Sequence, residues 1–347
     1  MLMVIPLKVT NKSVNLSEQV AFLERLSKLL ANHFTLKRSL EFMMYDPQFS
    51  NLAKIFVSLL QDGKSIEDCF RLLKFHPIVI AFLYFSRETG QMNEQIINCH
   101  NMLKMRLDFY NKLKSLIKYP LTLLLISFGG FFFISSFLLP AYTETMTSFG
   151  DHSSSYWFNL FVTMIQTSIT LILCLTIIFT LIVYFIYKNG DIDRKITIIE
   201  RIPFIRSIVK LTTTIHFAYH LSSTINGGKT VKEGLIIMSH QNDLIILRHY
   251  AQIIIDRLKN GDQLVTSTNG LSLIEEDFKF LILRSSEQGT LLEDLRAYSS
   301  IALSTLEERT QKVLLMVQPT LYLLIGSMVV VIYLFTLFPM FQLINHM

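Results

Sequence analysis

Much of this chain is written twice. Residues 22–43 align without a gap on residues 217–238, with seven identities: Phe22/Phe217, Leu26/Leu221, Ser27/Ser222, Thr35/Thr230, Lys37/Lys232, Leu40/Leu235 and Met43/Met238. Further on, the offset grows from 195 to 199 residues and pairs Glu88/Glu287, Gly90/Gly289, Glu94/Glu293, Pro120/Pro319 and Pro140/Pro339. Random matching would give about one or two identities in the first window. Whatever the fold, it has to place two copies of a unit that runs from a polar helical block into an apolar stretch.

The charges are segregated along the chain. No Lys, Arg, Asp or Glu occurs from Tyr119 to Thr143, from His152 to Tyr187, or from Val313 to the C-terminus. Each run exceeds the roughly 20 residues that cross a bilayer as a helix. All 32 Lys and Arg fall in residues 1–118 and 188–312, sixteen in each, whereas the stretch after the first run carries only Glu144 and Asp151. Cations are retained on the cytoplasmic side during insertion, so both polar blocks are expected there. The expected organisation is an all-α integral membrane protein. It has a first cytoplasmic helical-bundle domain (1–118), a transmembrane helix (119–143), a short extracytoplasmic loop (144–156) and a second transmembrane helix (157–187). A second, homologous cytoplasmic helical-bundle domain (188–312), a third transmembrane helix (313–341) and an extracytoplasmic tail (342–347) follow. The protein would thus be multi-pass in the cell membrane, with its N-terminus cytoplasmic and its C-terminus outside.

The apolar run in Met1-Leu-Met-Val-Ile-Pro-Leu-Lys8 is too short for a signal-peptide core, so the first span is expected to do the targeting. Cys69, Cys99 and Cys174 are far apart and form no CxxC pair, which fits isolated reduced thiols. Both polar blocks read as helices. Asn15-Leu-Ser-Glu18 resembles a capping box ahead of Val20, Leu23, Leu26 and Leu30. A helix from about Thr35 ends before Asp46-Pro47, and another, 52–60, ends at Asp62-Gly63, a turn repeated as Asn260-Gly261. Ser65-Ile-Glu-Asp68 starts the next, and Glu88-Thr-Gly90 interrupts before a long helix toward the membrane.

Several motifs suggest chemistry and fall short of it. Gly227-Gly-Lys-Thr230 looks like the end of a phosphate-binding loop, but Ser223 stands where that loop needs its first glycine, and the first copy reads Asn32-His-Phe-Thr35. A helix–helix turn is the expected reading. His216 and His220 share one helical face at metal-ligand spacing, yet Phe217 replaces the glutamate of HExxH and no third ligand is evident, so they are expected to be ordinary helix histidines. Glu275-Glu-Asp277 and Glu307-Glu308 read as solvated acidic faces. No catalytic centre, metal or cofactor is nominated. The apolar runs contain no ionisable Asp, Glu, Lys or Arg, which argues against an ion-coupled carrier. Three spans rarely enclose a pore alone, so a homo-oligomer in the lipid bilayer is expected.

The pattern of Lys112-Leu113, Tyr119-Pro120 and Leu138-Leu-Pro140 around the first apolar run, answered by Gln318-Pro319 and Phe338-Pro339, resembles the type II secretion system F family. That family includes the type IV pilus C platform proteins. Glu88-x-Gly90 and Glu287-x-Gly289 are similar to its repeated Glu-x-Gly turn, and Gly227-Gly228 to its glycine pair, which the first copy replaces with Asn32-His33. Phe204-Ile-Arg206 also departs from the family after Pro203. The family-motif residues are therefore Glu88, Gly90, Tyr119, Pro120, Pro140, Gly227, Gly228, Glu287, Gly289, Pro319 and Pro339. The resemblance implies a non-enzymatic inner-membrane platform that couples a cytoplasmic secretion ATPase to the polymerisation of pilin-like subunits. The shorter length and a composition rich in Lys, Ile, Asn and Phe are most similar to competence-system members from low-GC Gram-positive bacteria, where the pseudopilus serves uptake of transforming DNA. Platforms for protein secretion or a surface pilus remain open alternatives, as do a membrane sensor or a transporter subunit. Direct nucleic-acid binding is not expected: the first block is net +6, the second nearly balanced, and no basic stripe with interleaved aromatics is apparent.

Overall fold

The computed structural model describes residues 14–133 and 191–345, with a few scattered positions between 136 and 167. Among these residues the elements are helices: α1 (Leu16–Ala31), α2 (Leu36–Met43), α3 (Ser50–Gln61), α4 (Ile66–Leu72), α5 (Pro77–Thr89) and α6 (Met92–Phe133). After α7 (Ile192–Arg201) the order is taken up again as α8 (Pro203–Asn226), α9 (Val231–His240), α10 (Ile245–Lys259), α11 (Leu264–Ser267), α12 (Glu276–Gln288) and α13 (Leu291–Asn345). The repeat is thus six helices long in each copy. α5 and α12 are thirteen residues each and sit in the same 199-residue register.

The shared residues are those the fold cannot vary. Phe22, Leu26, Leu40 and Met43 are fully buried, and so are their counterparts Phe217, Leu221, Leu235 and Met238. Thr35 and Thr230 cap the second helix of each copy, accepting from the amides of Arg38 and Glu233 at 3.4 and 3.2 Å. Such caps are worth about 1 kcal/mol. In the first copy Phe22 lies 5.9–6.3 Å from Phe49, Phe56, Phe70 and Phe75, three of them edge-on. In the second, Phe217 meets Phe278 edge-on at 5.7 Å. Burying one such ring contributes about 1.5–3 kcal/mol. Gly90 and Gly289 end α5 and α12 at φ of 74° and 73°, a left-handed conformation that glycine adopts without steric cost.

The chain divides into two compact units, Met1–Tyr110 with Ile196–Thr310, and Asn111–Lys195 with Gln311–Met347. Residues 1–110 and 196–310, the greater part of both polar blocks, therefore belong to one unit. Leu211, Ile215 and Tyr219 of α8 and Ala302 and Leu306 of α13 join the core built by the first copy.

One sequence expectation changes, and one motif is placed differently from its local preference. Pro120 lies inside the 42 residues of α6 and Pro319 inside the 55 residues of α13. A proline within a helix removes one amide donor without necessarily ending it. Here the helix continues, and threonines just beyond bond back to the backbone, Thr122 to the Tyr119 carbonyl at 2.7 Å and Thr320 to that of Met316 at 2.8 Å. Glu275, read as part of a solvated face, is a half-buried acceptor. It takes Arg309 at 2.6 Å and Lys210 at 3.4 Å, with 15% of its side chain exposed.

Among the described residues no helix is long and apolar enough to cross a membrane. Nearly all of the second apolar run, Cys174 and nearly all of the 144–156 loop lie outside the described residues. The described parts of the first and third runs carry large exposed apolar side chains, among them Leu125, Ile126, Phe132, Leu315 and Leu323.

Candidate functional site

The motif residues occupy helix ends and helix interiors rather than one cluster. Glu88 and Glu287 stand in the last turns of α5 and α12, and Glu88 meets Arg87 at 3.3 Å. Tyr119 is exposed and Pro120 buried on α6, Pro140 is exposed, and Pro319 is exposed on α13. Pro339 is helical, its side chain lying outside the described residues.

One pair of motifs is brought together across the repeats. Gly227, at the end of α8, has its hydrogen aimed at Thr89, so that a Cβ there would sit 3.3 Å from the Thr89 Cα, Cβ and carbonyl oxygen. The glycine turn of the second copy is therefore pressed onto the Glu-x-Gly turn of the first. Gly228 then takes φ 80°, and Thr230 opens α9 in a capping box with Glu233. The Gly-Gly-Lys-Thr sequence is thus a helix–helix turn.

From this point a seam runs between the copies. The Gln95 Nε2 donates to Ser223 Oγ at 2.6 Å, and Ser223 donates to Gln91 at 3.2 Å. Asn98 donates to the Tyr219 hydroxyl at 2.6 Å, and Tyr84 donates to the Ile237 carbonyl at 3.2 Å. At one edge Arg71 holds both carboxylate oxygens of Asp243, at 2.9 and 3.1 Å. That pairing raises the Arg71 pKa.

The middle of the seam is aromatic. His220 stacks on Phe85 with ring centroids 3.8 Å apart, and Phe82 packs edge-on to His216 and His220 at 6.0 and 4.9 Å. Both histidines are buried, and neither ring nitrogen of His220 has a hydrogen-bond partner among the described residues. Burial pushes the His216 pKa down to about 4, and burial together with neighbouring His216 puts His220 well below the usual histidine range. The two imidazoles are neutral packing groups at neutral pH. Burial also raises the pKa of the Cys69 thiol to about 11, while Cys99 and Tyr219 are raised further. Such thiols are poor nucleophiles. Among the described residues no group of three or more His, Cys, Asp or Glu is placed to hold a metal.

Sequence spacing singled out the glycines and the histidine pair but not what they do. Gln91, Gln95, Asn98, Ser223 and Tyr219 carried no motif at all, because their partners lie more than 100 positions away. A usable signal was present in the alignment. Where the second copy has His216 and His220, the first has Ala21 and Arg25, and a departure from repeat symmetry on one helical face marks a face with a different neighbour.

Comparison with known proteins agrees with the repeat. The chain matches ComG operon protein 2 of Bacillus subtilis (strain 168), 27% identical over 314 residues covering 89% of this chain and 96% of that protein. It also matches the ComG operon protein 2 homolog of Halalkalibacterium halodurans, 22% identical over 299 residues, 82% of this chain and 89% of that protein. Residues 22–140 and 217–339, the two copies from their first shared phenylalanine to their last shared proline, each match one family, and the chain belongs to it: Type II secretion system (T2SS), protein F.

Proposed function

We propose that this protein is the membrane platform of a competence pseudopilus. It would couple a cytoplasmic assembly ATPase to the polymerisation of pilin-like subunits, in the service of DNA uptake. Family membership over both copies, and similarity to ComG operon proteins across nearly their whole length, support this reading. Members of the family are non-catalytic membrane proteins. The observation that carries the mechanical part is the seam: two polar blocks, separated in sequence by the apolar runs, pack as one compact unit. A unit of that kind can pass a motor's displacement to the membrane without deforming, because close-packed cores transmit strain.

The topology proposed is three spans at 119–143, 157–187 and 313–341, with both blocks cytoplasmic, as the charge-free runs and the distribution of cations support. The second span returns the chain to the cytoplasm so that the second copy can reach the first. Cysteine-accessibility labelling at 144–156 and at the C-terminus should mark both as external, and labelling only from inside would sink the topology.

Deletion of the gene should abolish pseudopilus assembly and transformation while the pilin-like subunits are still made and inserted. Normal fibres in the deletion strain would refute the platform reading. The protein acts on the fibre and does not grip DNA: salt-sensitive, submicromolar DNA binding by the purified full chain would overturn that part alone.

A further inference from the structure

We propose that the first copy receives a short acidic segment of a soluble partner protein, in the pocket between the start of α1, the turn from α4 to α5, and α6. The proposal adds an interaction surface to the platform reading and rests on that reading only for placing this block in the cytoplasm.

The pocket is open and holds about 650 Å³, within the range of ligand sites. Leu16, Phe75, Pro77 and Phe109 give it an apolar floor. One wall is tied together by Gln19, a side chain of a residue only 5% exposed. Its Nε2 donates to the Val14 carbonyl at 2.8 Å and to the Lys74 carbonyl at 3.5 Å, and its Oε1 accepts from the His76 amide at 2.9 Å. With Gln19 spent in this way, each remaining polar side chain of the lining offers a hydrogen-bond donor. Lys74 and Arg106 are exposed cations, and the exposed Tyr110 adds a hydroxyl. The Ile78 amide donates to His76 Nδ1 at 3.2 Å, which leaves the hydrogen of the neutral ring on Nε2. Among the described residues no Asp or Glu lines the pocket. Lys74 follows α4 at φ 56°, the left-handed conformation that usually falls to glycine at a helix end, so a strained backbone holds this cation on the rim.

The equivalent place in the second copy displays the missing charge. Glu275 stands at the position of His76, and its amide is held by Thr214 at 2.9 Å, just as that of His76 is held by Gln19, the counterpart of Thr214. There the carboxylate is the chain's own, on Arg309 at 2.6 Å and Lys210 at 3.4 Å. The first copy draws its cations from other positions and has a histidine where the carboxylate would be, so a matching anion has to come from outside. The apolar floor selects against a bare inorganic anion, and distance selects against a lipid headgroup. Tyr110 stands nine helical residues ahead of Tyr119, about 13 Å along α6, whereas a headgroup layer is about 5–8 Å deep. A carboxylate flanked by apolar side chains, on a segment of a soluble protein, meets both conditions.

The test is photo-cross-linking in cells of the native host, using full-length protein with a benzophenone side chain in place of Tyr110 and sequencing the adduct by mass spectrometry. The expected adduct is a segment of another protein in which carboxylates stand beside apolar side chains. Arg106→Glu should lower its yield about fivefold, and changing one carboxylate of the captured segment to Lys should restore the yield in that variant. Lys104→Glu, on the same helix outside the pocket, should leave the yield unchanged. An adduct with lipid, nucleic acid, a second copy or residues 1–13 of the same chain, a captured segment without carboxylates, a yield indifferent to Arg106→Glu, or no adduct would overturn the proposal. None of these readouts uses fibre assembly, so the pocket can fail while the platform reading stands.

Discussion

Gly227 and Thr89 touch so closely that the space for a Cβ on the glycine ends 3.3 Å from three atoms of the threonine. The backbone of Gly227, with φ −76° and ψ 10°, would accept any residue, so the requirement for glycine is one of approach between the copies rather than of conformation. Gly227→Val should therefore part the two turns, at a cost of about 1–3 kcal/mol from overpacking. Thermal unfolding of the detergent-solubilised protein reads the loss. Hydrogen exchange should rise first at residues 88–95, and unchanged protection there would show that the turns do not need each other.

The equivalent turn of the first copy makes the opposite prediction. His33 takes φ 63°, where a non-glycine residue is strained by about 1–2 kcal/mol, and it is exposed. Its counterpart Gly228 takes φ 80° without that strain. His33→Gly should stabilise the protein by about 0.5–1 kcal/mol after the entropy cost of glycine in the unfolded chain, whereas Gly228→Ala should destabilise it by about 1 kcal/mol. Melting temperatures that move in the same direction for both would contradict this account.

Arg71 and Asp243 join the copies at the rim of the seam with two hydrogen bonds, and 45% of the arginine side chain is exposed. Screening by solvent limits the pair to about 0.5 kcal/mol. Arg71→Asp should lose more than Arg71→Ala, because it sets like charges together, and Arg71→Asp combined with Asp243→Arg should recover the part due to Asp243 but not the ion pair of Arg71 with Glu67 at 3.0 Å. A double-mutant cycle with no coupling would show the pair to be incidental.

The helical class, the duplication and the turn residues were readable because each rests on local chemistry, whereas the break between α4 and α5 was not read. Thr35 and Thr230 cap helices, Gly90 and Gly289 end them, and Phe22 and Phe217 fill cores, all within their own copy. What was not readable is the relation between copies. Gln95 and Ser223 lie 128 positions apart and Arg71 and Asp243 lie 172 apart, and nothing in either neighbourhood requires the other. Pro120 and Pro319 show the same limit of local chemistry: local preference favours a helix boundary before proline, and the continuous α6 and α13 override it. Glu275 read as solvent-facing because its cations, Lys210 and Arg309, come from other helices.

The buried histidines make the seam sensitive to acid. In the unfolded chain His216 and His220 titrate near the ordinary value of about 6.5. In the fold, burial holds His216 at about 4 and His220 well below 6.5. Between about pH 6.5 and pH 4 the unfolded chain therefore binds a proton at His216 that the folded chain refuses, so stability is full above that window and falls as the pH falls through it, by about 1.4 kcal/mol per pH unit for His216, and His220 adds a loss of the same sign below pH 6.5. The rings packed on the pair are Phe82 and Phe85 from α5 and Tyr219 from α8, none of which offers a charge to offset a proton. His76, held near 4 by burial and then by Arg106, and His100, lowered chiefly by burial, add slopes of the same sign from elsewhere in the first copy. His220→Phe keeps the stack on Phe85 and removes the titration. Combined with His216→Leu, it should flatten the stability profile below pH 6.5 by more than His216→Leu alone and leave the slope due to His76 and His100 in place. Chemical denaturation of the solubilised protein at stepped pH measures this. A double variant as acid-sensitive as the parent would place the sensitivity outside the seam.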